Sequence, residues 1–156
     1  MSRVVLARID DRLIHGQVVT AWVNHVKANT IIIADEELSS NKLMQRIYMA
    51  AAPNNIELKI LTIDETITYL KEEENRRVLL LGKTPQVFEK LIENNIEIDE
   101  VILGGMGSKP DRKKVIRNSY ANEEELESMK SILSKGIDVA YQIVPDEKKV
   151  NLKNNI

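Results

Sequence analysis

The sequence predicts an α/β fold, a single doubly wound, mainly parallel open sheet of about seven strands with helices on both faces. Short runs of Val, Ile and Leu alternate with longer segments that have helical spacing. Two runs, Ile31–Ile33 and Val78–Leu81, are apolar without alternation, as in strands buried on both faces of a parallel sheet. The 156 residues contain no internal repeat and no linker, so residues 1–156 are taken as one domain.

The chain opens with two strand–helix pairs. Val4–Ile9 is rich in β-branched and apolar residues, and Gln17–Ala28 follows with apolar residues at helical spacing. Thr30–Glu36 contains three consecutive isoleucines and is predicted as the second strand. A helix over Ser39–Ala52 is indicated by a serine cap at its start and by Pro53 just beyond its end.

The middle of the chain continues the alternation. Glu57–Thr62 is predicted as a strand, and Asp64–Glu74 as a helix that an aspartate opens. Arg76–Gly82 contains a Val-Leu-Leu-Leu run typical of a fully buried strand. Thr84–Asn95 is predicted as a helix because a threonine cap is followed by proline at the first helical position. Asp99–Gly107 is predicted as a strand that ends in a glycine loop.

The last third is less regular. Lys113–Ala121 is predicted as a strand, although it is more polar than the others. Asn122–Gly136 is predicted as a helix, with acidic residues in its first turn and glycine as its stop. Asp138–Pro145 is expected to close the sheet, and the charged tail after Pro145 is expected on the surface.

Composition excludes several classes of function. Lys and Arg total 22 against 24 Asp and Glu, so a formal charge of −2 provides no general attraction for nucleic acid. The absence of cysteine excludes disulfides, thiolate nucleophiles and sulfur-ligated metals, and it suits a reducing cytoplasm. With two histidines and no carboxylate pair at metal-ligand spacing, neither a metal nor another cofactor is predicted. The sequence lacks a signal peptide and an apolar run of the about 20 residues that span a bilayer, so membrane association is expected only through other chains.

The loop after the first strand carries the densest set of reactive groups. Ligands of open α/β sheets bind beyond the carboxyl ends of the strands, and this loop lies there. His15 directly precedes a predicted helix, whose unpaired N–H groups and dipole favour an anion. A neutral imidazole there is a candidate nucleophile, and a phosphoryl group on His15 would meet the backbone donors of Gly16 and Gln17.

Charged neighbours complete this candidate site. Arg12 is placed to neutralise the oxygens of a transferring phosphoryl group. Asp10 or Asp11 is placed to accept a hydrogen bond from the imidazole and so determine its tautomer. The alternative interpretation is that His15 is a capping or solvated residue of a polar loop. His25 is assigned to a helix end, where a cation is mildly favoured.

Two other segments suggest binding less strongly. Gly105–Gly107 begins like a dinucleotide fingerprint, but Pro110 occupies the position of the third glycine and no helix clearly follows. The basic run Lys109–Lys114 is either a solvated surface or a contact for an acidic partner. Arg46 and Tyr48 are assigned to the surface and the core of a helix.

The segment ARIDDRLIHGQVVTAW, Ala7–Trp22, closely resembles the signature of the enzyme IIB component of the mannose/fructose/sorbose class of the bacterial phosphoenolpyruvate-dependent sugar phosphotransferase system. The resemblance extends over nearly the whole chain, since IIIADEE, ILGGMG and LSKGIDVAYQIVPDE look like the pattern of that family in the same order. One departure is visible: relatives often carry NVGGM where this chain has Ile102–Met106, so an apolar residue replaces an asparagine.

The resemblance implies a function. The residue that matches His15 accepts a phosphoryl group at Nδ1 from a phosphohistidine of the IIA component, and passes it to a sugar delivered by the membrane-embedded IIC and IID components. Arg12 matches an arginine that stabilises the transferring group, and Asp10 matches the aspartate beside it. The implied location is cytoplasmic, with peripheral attachment to the membrane through IIC and IID. No fused IIA domain is visible, so the donor is expected to be a separate protein, and a homo-oligomer is compatible with the sequence.

The resemblance also implies a topology: seven strands in the order 3-2-1-4-5-6-7, with the last antiparallel. For the partner surface, we expect an apolar rim with a basic fringe around His15. At least one of Leu13 and Ile14 is therefore predicted to be exposed, with Arg8, Arg12 and Lys109 as fringe charges.

Two rival functions remain open at this point. A regulatory module could bind a phosphate or a nucleotide in the same loops without covalent chemistry. A histidine phosphatase or mutase ranks lowest, because Ile14-His15-Gly16 only superficially resembles the Arg-His-Gly motif of that group and Arg12 lies three positions before the histidine.

Overall fold

The computed structural model describes all residues, 1–156. The strands are β1 (Arg3–Asp10), β2 (Thr30–Ala34), β3 (Glu57–Leu61), β4 (Arg77–Gly82), β5 (Glu100–Gly105), β6 (Lys113–Ile116), β7 (Ser119–Ala121), β8 (Asp138–Tyr141) and β9 (Val150–Asn151). The helices are α1 (Gly16–Val26), α2 (Lys42–Ala51), α3 (Ile63–Glu72), α4 (Pro85–Glu93) and α5 (Glu123–Ser134). Short 3₁₀ turns lie at Leu38–Ser40 and Leu152–Asn154.

Seven strands form the main sheet in the order β3-β2-β4-β1-β5-β8-β9, and every pair is parallel except β8–β9. The predicted seven-stranded, mainly parallel α/β fold is confirmed, including the antiparallel last strand. The expected strand order is wrong, because β4 lies between β2 and β1. The connection from β1 to β2 passes over one position, which β4 later fills by pairing Val78 with both Val4 and Thr30.

The helices cover both faces of this sheet. The chain moves in one direction from β1 to β3 and in the other from β3 to β8, so right-handed crossovers place α1 and α2 on one face and α3, α4 and α5 on the other. Each face has its own apolar core. On the α1 side it includes Leu6, Val19, Trp22, Val23, Ile31, Ile33, Leu79 and Leu81, and on the other side Ile32, Leu70, Leu80, Phe88, Leu91, Val101, Met129 and Ile132.

Helix starts agree with the sequence in type but not always in residue. Asn41 caps α2 by accepting from the Met44 N–H, whereas the predicted cap, Ser39, lies in the preceding 3₁₀ turn. Thr62 caps α3, one position before the first helical residue and two before the predicted opener, Asp64. Asn122 caps α5, and both α3 and α5 begin with a reciprocal capping box.

Two expectations for the last third are wrong. Lys113–Ala121 is not one strand of the main sheet but the separate antiparallel hairpin β6–β7, whose turn includes Arg117 at φ 45°. The tail after Pro145 does not lie wholly on the surface, because β9 pairs with β8 and Leu152 is fully buried. Leu152, an apolar residue among polar and charged neighbours, joins the core on the α5 side. None of the helices has both the length and the apolar character needed to cross a bilayer.

Candidate active site

The loop between β1 and α1 lies at the carboxyl edge of the sheet, with β1 flanked by β4 and β5. The connection after β1 runs to one face, whereas those after β4 and β5 run to the other, which creates the crevice where open α/β sheets bind ligands. The loop begins with a turn in which the Leu13 N–H donates to the Asp10 carbonyl at 2.9 Å. Leu13 has a φ of 59°, a left-handed conformation that its fully buried side chain holds in place.

Asp10 is the centre of the charged groups in this loop. Its side chain is completely buried and accepts hydrogen bonds from Arg8, Arg12 and His15. Oδ1 accepts from the backbone N–H of Arg12 at 3.0 Å and from its Nε at 3.1 Å, and Oδ2 accepts from its Nη2 at 3.2 Å. Oδ2 also lies 2.9 Å from His15 Nε2 and 3.4 Å from Arg8 Nη2.

These contacts determine the charge of Asp10. Burial alone raises the pKa of the Asp10 carboxyl, but hydrogen bonds from Arg12 and His15 and the positive charge of Arg8 outweigh it, so the pKa lies below its ordinary value of 3.8. Asp10 is therefore a carboxylate at neutral pH, and it can only accept hydrogen bonds.

The ionised Asp10 selects one form of the His15 ring. Because the carboxylate only accepts, the 2.9 Å contact requires a proton on Nε2 of His15. In a neutral imidazole, Nδ1 then keeps its lone pair. The His15 side chain is 22% exposed, so the ring is held from within the loop while part of it remains open to an incoming group.

The helix that follows presents free donors beside this ring. His15 occupies the cap position of α1, but its side chain makes no capping hydrogen bond. The backbone N–H groups of Gly16 and Gln17 donate no hydrogen bond to any other group. Gly16 has a φ of 51°, which explains a glycine there although space for a side chain exists. The first turn of α1 thus has two unpaired N–H donors next to His15, an arrangement that favours an anion.

A second ion-pair network fastens the glycine loop after β5 to this site. Asp11 Oδ2 accepts from the Gly107 N–H at 2.7 Å and lies 3.5 Å from Arg112 Nη1. Arg112 is buried and donates to both carboxylate oxygens of Glu125, at 2.7 and 2.9 Å. Burial lowers the pKa of Arg112, but Glu125 and Asp11 outweigh it and raise the pKa above its ordinary value. The sequence does not predict this pair, because Arg112 lies in a basic run and Glu125 in an acidic first turn, patterns typical of solvated surface.

Comparison with known proteins identifies the family. The family model for the PTS system sorbose subfamily IIB component matches residues 4–156. The chain belongs to this family. PTS denotes the phosphotransferase system, in which a IIB component accepts a phosphoryl group from the IIA component and passes it to sugar, so the chain is a phosphotransferase component.

Individual relatives agree with this assignment. The chain is 28% identical over 148 residues to the N-acetylgalactosamine-specific phosphotransferase enzyme IIB component 1 of Escherichia coli K12, covering 94% of each chain. It resembles the crystal structure of manxB from Thermoanaerobacter tengcongensis with a TM-score of 0.89 and 32% identity, over 97% of this chain and 93% of that one. It shares the fold of the IIBSor domain of the sorbose permease from Klebsiella pneumoniae, with a TM-score of 0.93 at 23% identity, over 98% and 95% of the two chains.

The expected partner surface of this IIB component needs correction. Leu13 and Ile14 are both buried, at 1% and 6% exposure, because they join the core on the α1 side and anchor the loop from below. Arg8 is also buried, at 1%, and is not a fringe charge. The other two predicted fringe cations are exposed: the Arg12 side chain at 53%, and Lys109.

The remaining sequence candidates lie away from the loop. His25 is exposed near the end of α1, where its ring meets the edge of the Trp22 ring at 5.9 Å between centroids. Ile102 is fully buried in the core on the α1 side. No group of three or more His, Asp or Glu side chains lies close enough together to hold a metal ion.

Proposed function

We propose that His15 is the residue of this IIB component that carries the phosphoryl group, and that Nδ1 is the nucleophile. The observation that carries the proposal is the 2.9 Å contact between His15 Nε2 and the buried Asp10 carboxylate. That contact leaves the Nδ1 lone pair free to form a bond to phosphorus, while the bond from phosphorus to the donor nitrogen breaks and its electron pair stays on the donor ring. Phosphorylation makes the His15 ring positive, and the negative charge of Asp10 stabilises that form.

The phosphoryl group would be received by groups around the ring. Arg12 is half exposed and already fixed beside the ring through Asp10, so its guanidinium can turn to the equatorial oxygens of the transferring group. The backbone N–H groups of Gly16 and Gln17 supply further donors at the start of α1. Stabilisation of charge at the phosphoryl oxygens is the main protein contribution in phosphoryl transfer.

The partners follow from the family and from the names of its members. We propose a phosphohistidine of a IIA protein as the donor, a sugar as the acceptor, and the membrane-embedded IIC and IID components as the site where the two meet. A relative of this chain is the mannose-specific EIIAB component of Escherichia coli K12, 28% identical over 153 residues, in which the match covers 47% of that protein. The name of that relative joins the A and B components, which supports direct transfer between them. The proposed location is the cytoplasmic side of the membrane.

Incubation with phosphoenolpyruvate, enzyme I, the histidine phosphocarrier protein and candidate IIA proteins is expected to add the mass of one phosphoryl group to the intact chain. The label should be lost in acid and retained in base, because the phosphorus–nitrogen bond of phosphohistidine is labile in acid. Intact mass before and after each treatment measures both properties. An acid-stable label, or phosphate that leaves on denaturation alone, would contradict the proposal and favour a non-covalent phosphate-binding module.

Replacing Arg12 by alanine is expected to slow phosphoryl transfer on the order of 10²–10³-fold, because it removes a donor at the site of developing charge. Thermal stability should change little, since the Arg12 side chain is half exposed and Asp10 retains the backbone N–H of residue 12 together with His15 and Arg8. Rapid-quench transfer from phosphorylated IIA measures the rate. Arg46→Ala, on the exposed surface of α2, is the matched control. A native rate in Arg12→Ala would show that the arginine is only a solvated partner of Asp10.

A further inference from the structure

Arg8 is a buried charge that the proposed transfer does not by itself require. It is 1% exposed and is the largest of the fully buried side chains. Arginine is almost never fully buried unless it is paired. Successive residues of a strand alternate between its faces, so Arg8 and Asp10, two positions apart on β1, point to the same side of the sheet.

The surroundings of Arg8 hold its guanidinium rigidly. Nη1 donates to the Gln142 carbonyl at 2.8 Å, and Nη2 donates to Asp10 Oδ2 at 3.4 Å. The guanidinium lies 5.5 Å from the centre of the Trp22 ring, and Trp22 is itself fixed by a hydrogen bond from Nε1 to the Ile143 carbonyl at 2.8 Å. Burial lowers the pKa of Arg8, and the nearby Asp10 carboxylate partly offsets this effect. The Arg8 side chain remains a cation, as arginine does in proteins.

Gly104, within β5, leaves room for this side chain. A Cβ atom added to Gly104 would overlap Nη2 and Cζ of Arg8 and would lie 2.8 Å from its Nε. Such distances do not occur between real atoms, and the obstacle is a guanidinium fixed on three sides rather than the free end of a flexible chain. The missing side chain of Gly104 on β5 therefore leaves the space that the Arg8 guanidinium occupies behind the Asp10 carboxylate.

We propose that Arg8 is a positioning residue that holds Asp10 against His15 when Arg12 leaves Asp10 for the phosphoryl group. In the resting loop, Arg12 provides two of the side-chain hydrogen bonds to Asp10. A phosphoryl group on His15 competes for the same guanidinium. Once Arg12 turns away, Arg8 is the only side-chain cation left on the buried carboxylate, and it bonds Oδ2, the oxygen that contacts His15.

The two arginines thus have separate tasks. Arg12 is half exposed and serves the group that is transferred, whereas Arg8 is buried and serves the carboxylate that orients the ring. Without Arg8, no side-chain cation would hold Asp10 after Arg12 has turned to the phosphoryl group, and the proton on Nε2 of His15 would no longer be fixed. This inference rests on the proposed role of His15, but the tautomer can be read in the unphosphorylated protein when Arg12 is replaced by alanine, because that variant leaves Asp10 as it stands after Arg12 has turned away.

The test is the nitrogen-15 NMR spectrum of the His15 ring in the unphosphorylated full chain at alkaline pH, where an imidazole is neutral. The native protein and Arg12→Ala should both show the single tautomer with the proton on Nε2, because Arg8 holds Asp10 in each. Arg8→Met introduced into Arg12→Ala should show a mixture of both tautomers, and Arg8→Met in the otherwise native chain should show about 10-fold to 100-fold slower phosphoryl acceptance. Gly104→Ala in the Arg12→Ala background displaces the Arg8 guanidinium without removing it, and should also mix the tautomers. Arg8→Lys, which restores a cation, should recover part of the native signal.

The matched control is Arg76→Met. Arg76 is a partly buried arginine at the amino ends of the strands, where its Nε donates to Thr30 Oγ1 at 2.8 Å, so its loss affects stability without reaching the loop. The His15 tautomer should be native in this variant. An unchanged tautomer when Arg8→Met is added to Arg12→Ala overturns the inference, and if that double variant does not fold, an unchanged tautomer when Gly104→Ala is added to Arg12→Ala overturns it. Absence of phosphorylation in the native chain would instead overturn the proposed function, since the tautomer is read without phosphate.

Discussion

Replacing His15 by alanine is expected to abolish phosphoryl acceptance completely, whereas His25→Ala should leave it nearly intact. The reason is covalent: the proposed carrier atom is Nδ1 of His15, and no other residue in the loop offers a nitrogen nucleophile with a free lone pair. His25 lies exposed near the opposite end of α1, with its ring against the edge of Trp22. Intact mass after incubation with phosphorylated IIA measures the occupancy of both variants.

The His15→Ala variant should remain folded, because its side chain is partly exposed and Asp10 keeps its bonds to Arg8 and Arg12. Circular dichroism and a thermal scan separate loss of the carrier residue from loss of the fold. Native labelling of a folded His15→Ala protein would exclude His15 as the carrier. Loss of label in His25→Ala alone would transfer the assignment to that residue.

Replacing Asp10 by asparagine is expected to lower both the transfer rate and the stability. A neutral amide does not stabilise the positive ring that phosphorylation creates, so the rate should fall on the order of 10²–10⁴-fold, as when a carboxylate beside a reacting imidazole is lost. The buried guanidinium of Arg8 also loses its counter-charge. Removal of one partner from a buried ion pair typically costs about 3–5 kcal/mol in the free energy of unfolding. Rapid-quench kinetics and urea unfolding at neutral pH measure the two effects.

The pH dependence of stability provides the control for Asp10. Its pKa in the folded protein lies below the ordinary value of 3.8, so the unfolded chain binds the proton more readily. The stabilisation by the carboxylate is therefore present above that ordinary value and is lost as pH falls through the lower folded value. The free energy of unfolding of the native protein should approach that of Asp10→Asn below pH 3.8. A difference that stays constant from neutral pH to pH 3 would show that the Asp10 charge is not what the substitution removes.

Much of the fold follows from local patterns in the chain. The continuous apolar runs Ile31–Ile33 and Val78–Leu81 indicated strands covered on both faces, and both are fully buried in the sheet. Helix signals such as the proline that begins α4 and the acidic first turn of α5 act within a few residues, so they are readable without the fold. Strand order is different, because the position of β4 between β2 and β1 depends on which pairings bury the most surface, and short-range patterns carry no information about that choice.

The sequence by itself determined which reactive groups stand together: Asp10, Arg12 and His15 lie within six residues of one strand end, so any parallel sheet would bring them to the same edge. Only the tertiary structure decided what each of them contacts. The choice of Asp10 over Asp11 for His15, and the burial of Arg8, depend on contacts between residues far apart in the chain. Arg8 reaches the carbonyl 134 positions later at Gln142, and Asp11 is drawn away by the Gly107 N–H 96 positions later. A charge is buried or solvated according to the partners that packing brings to it, and those partners belong to distant parts of the sequence.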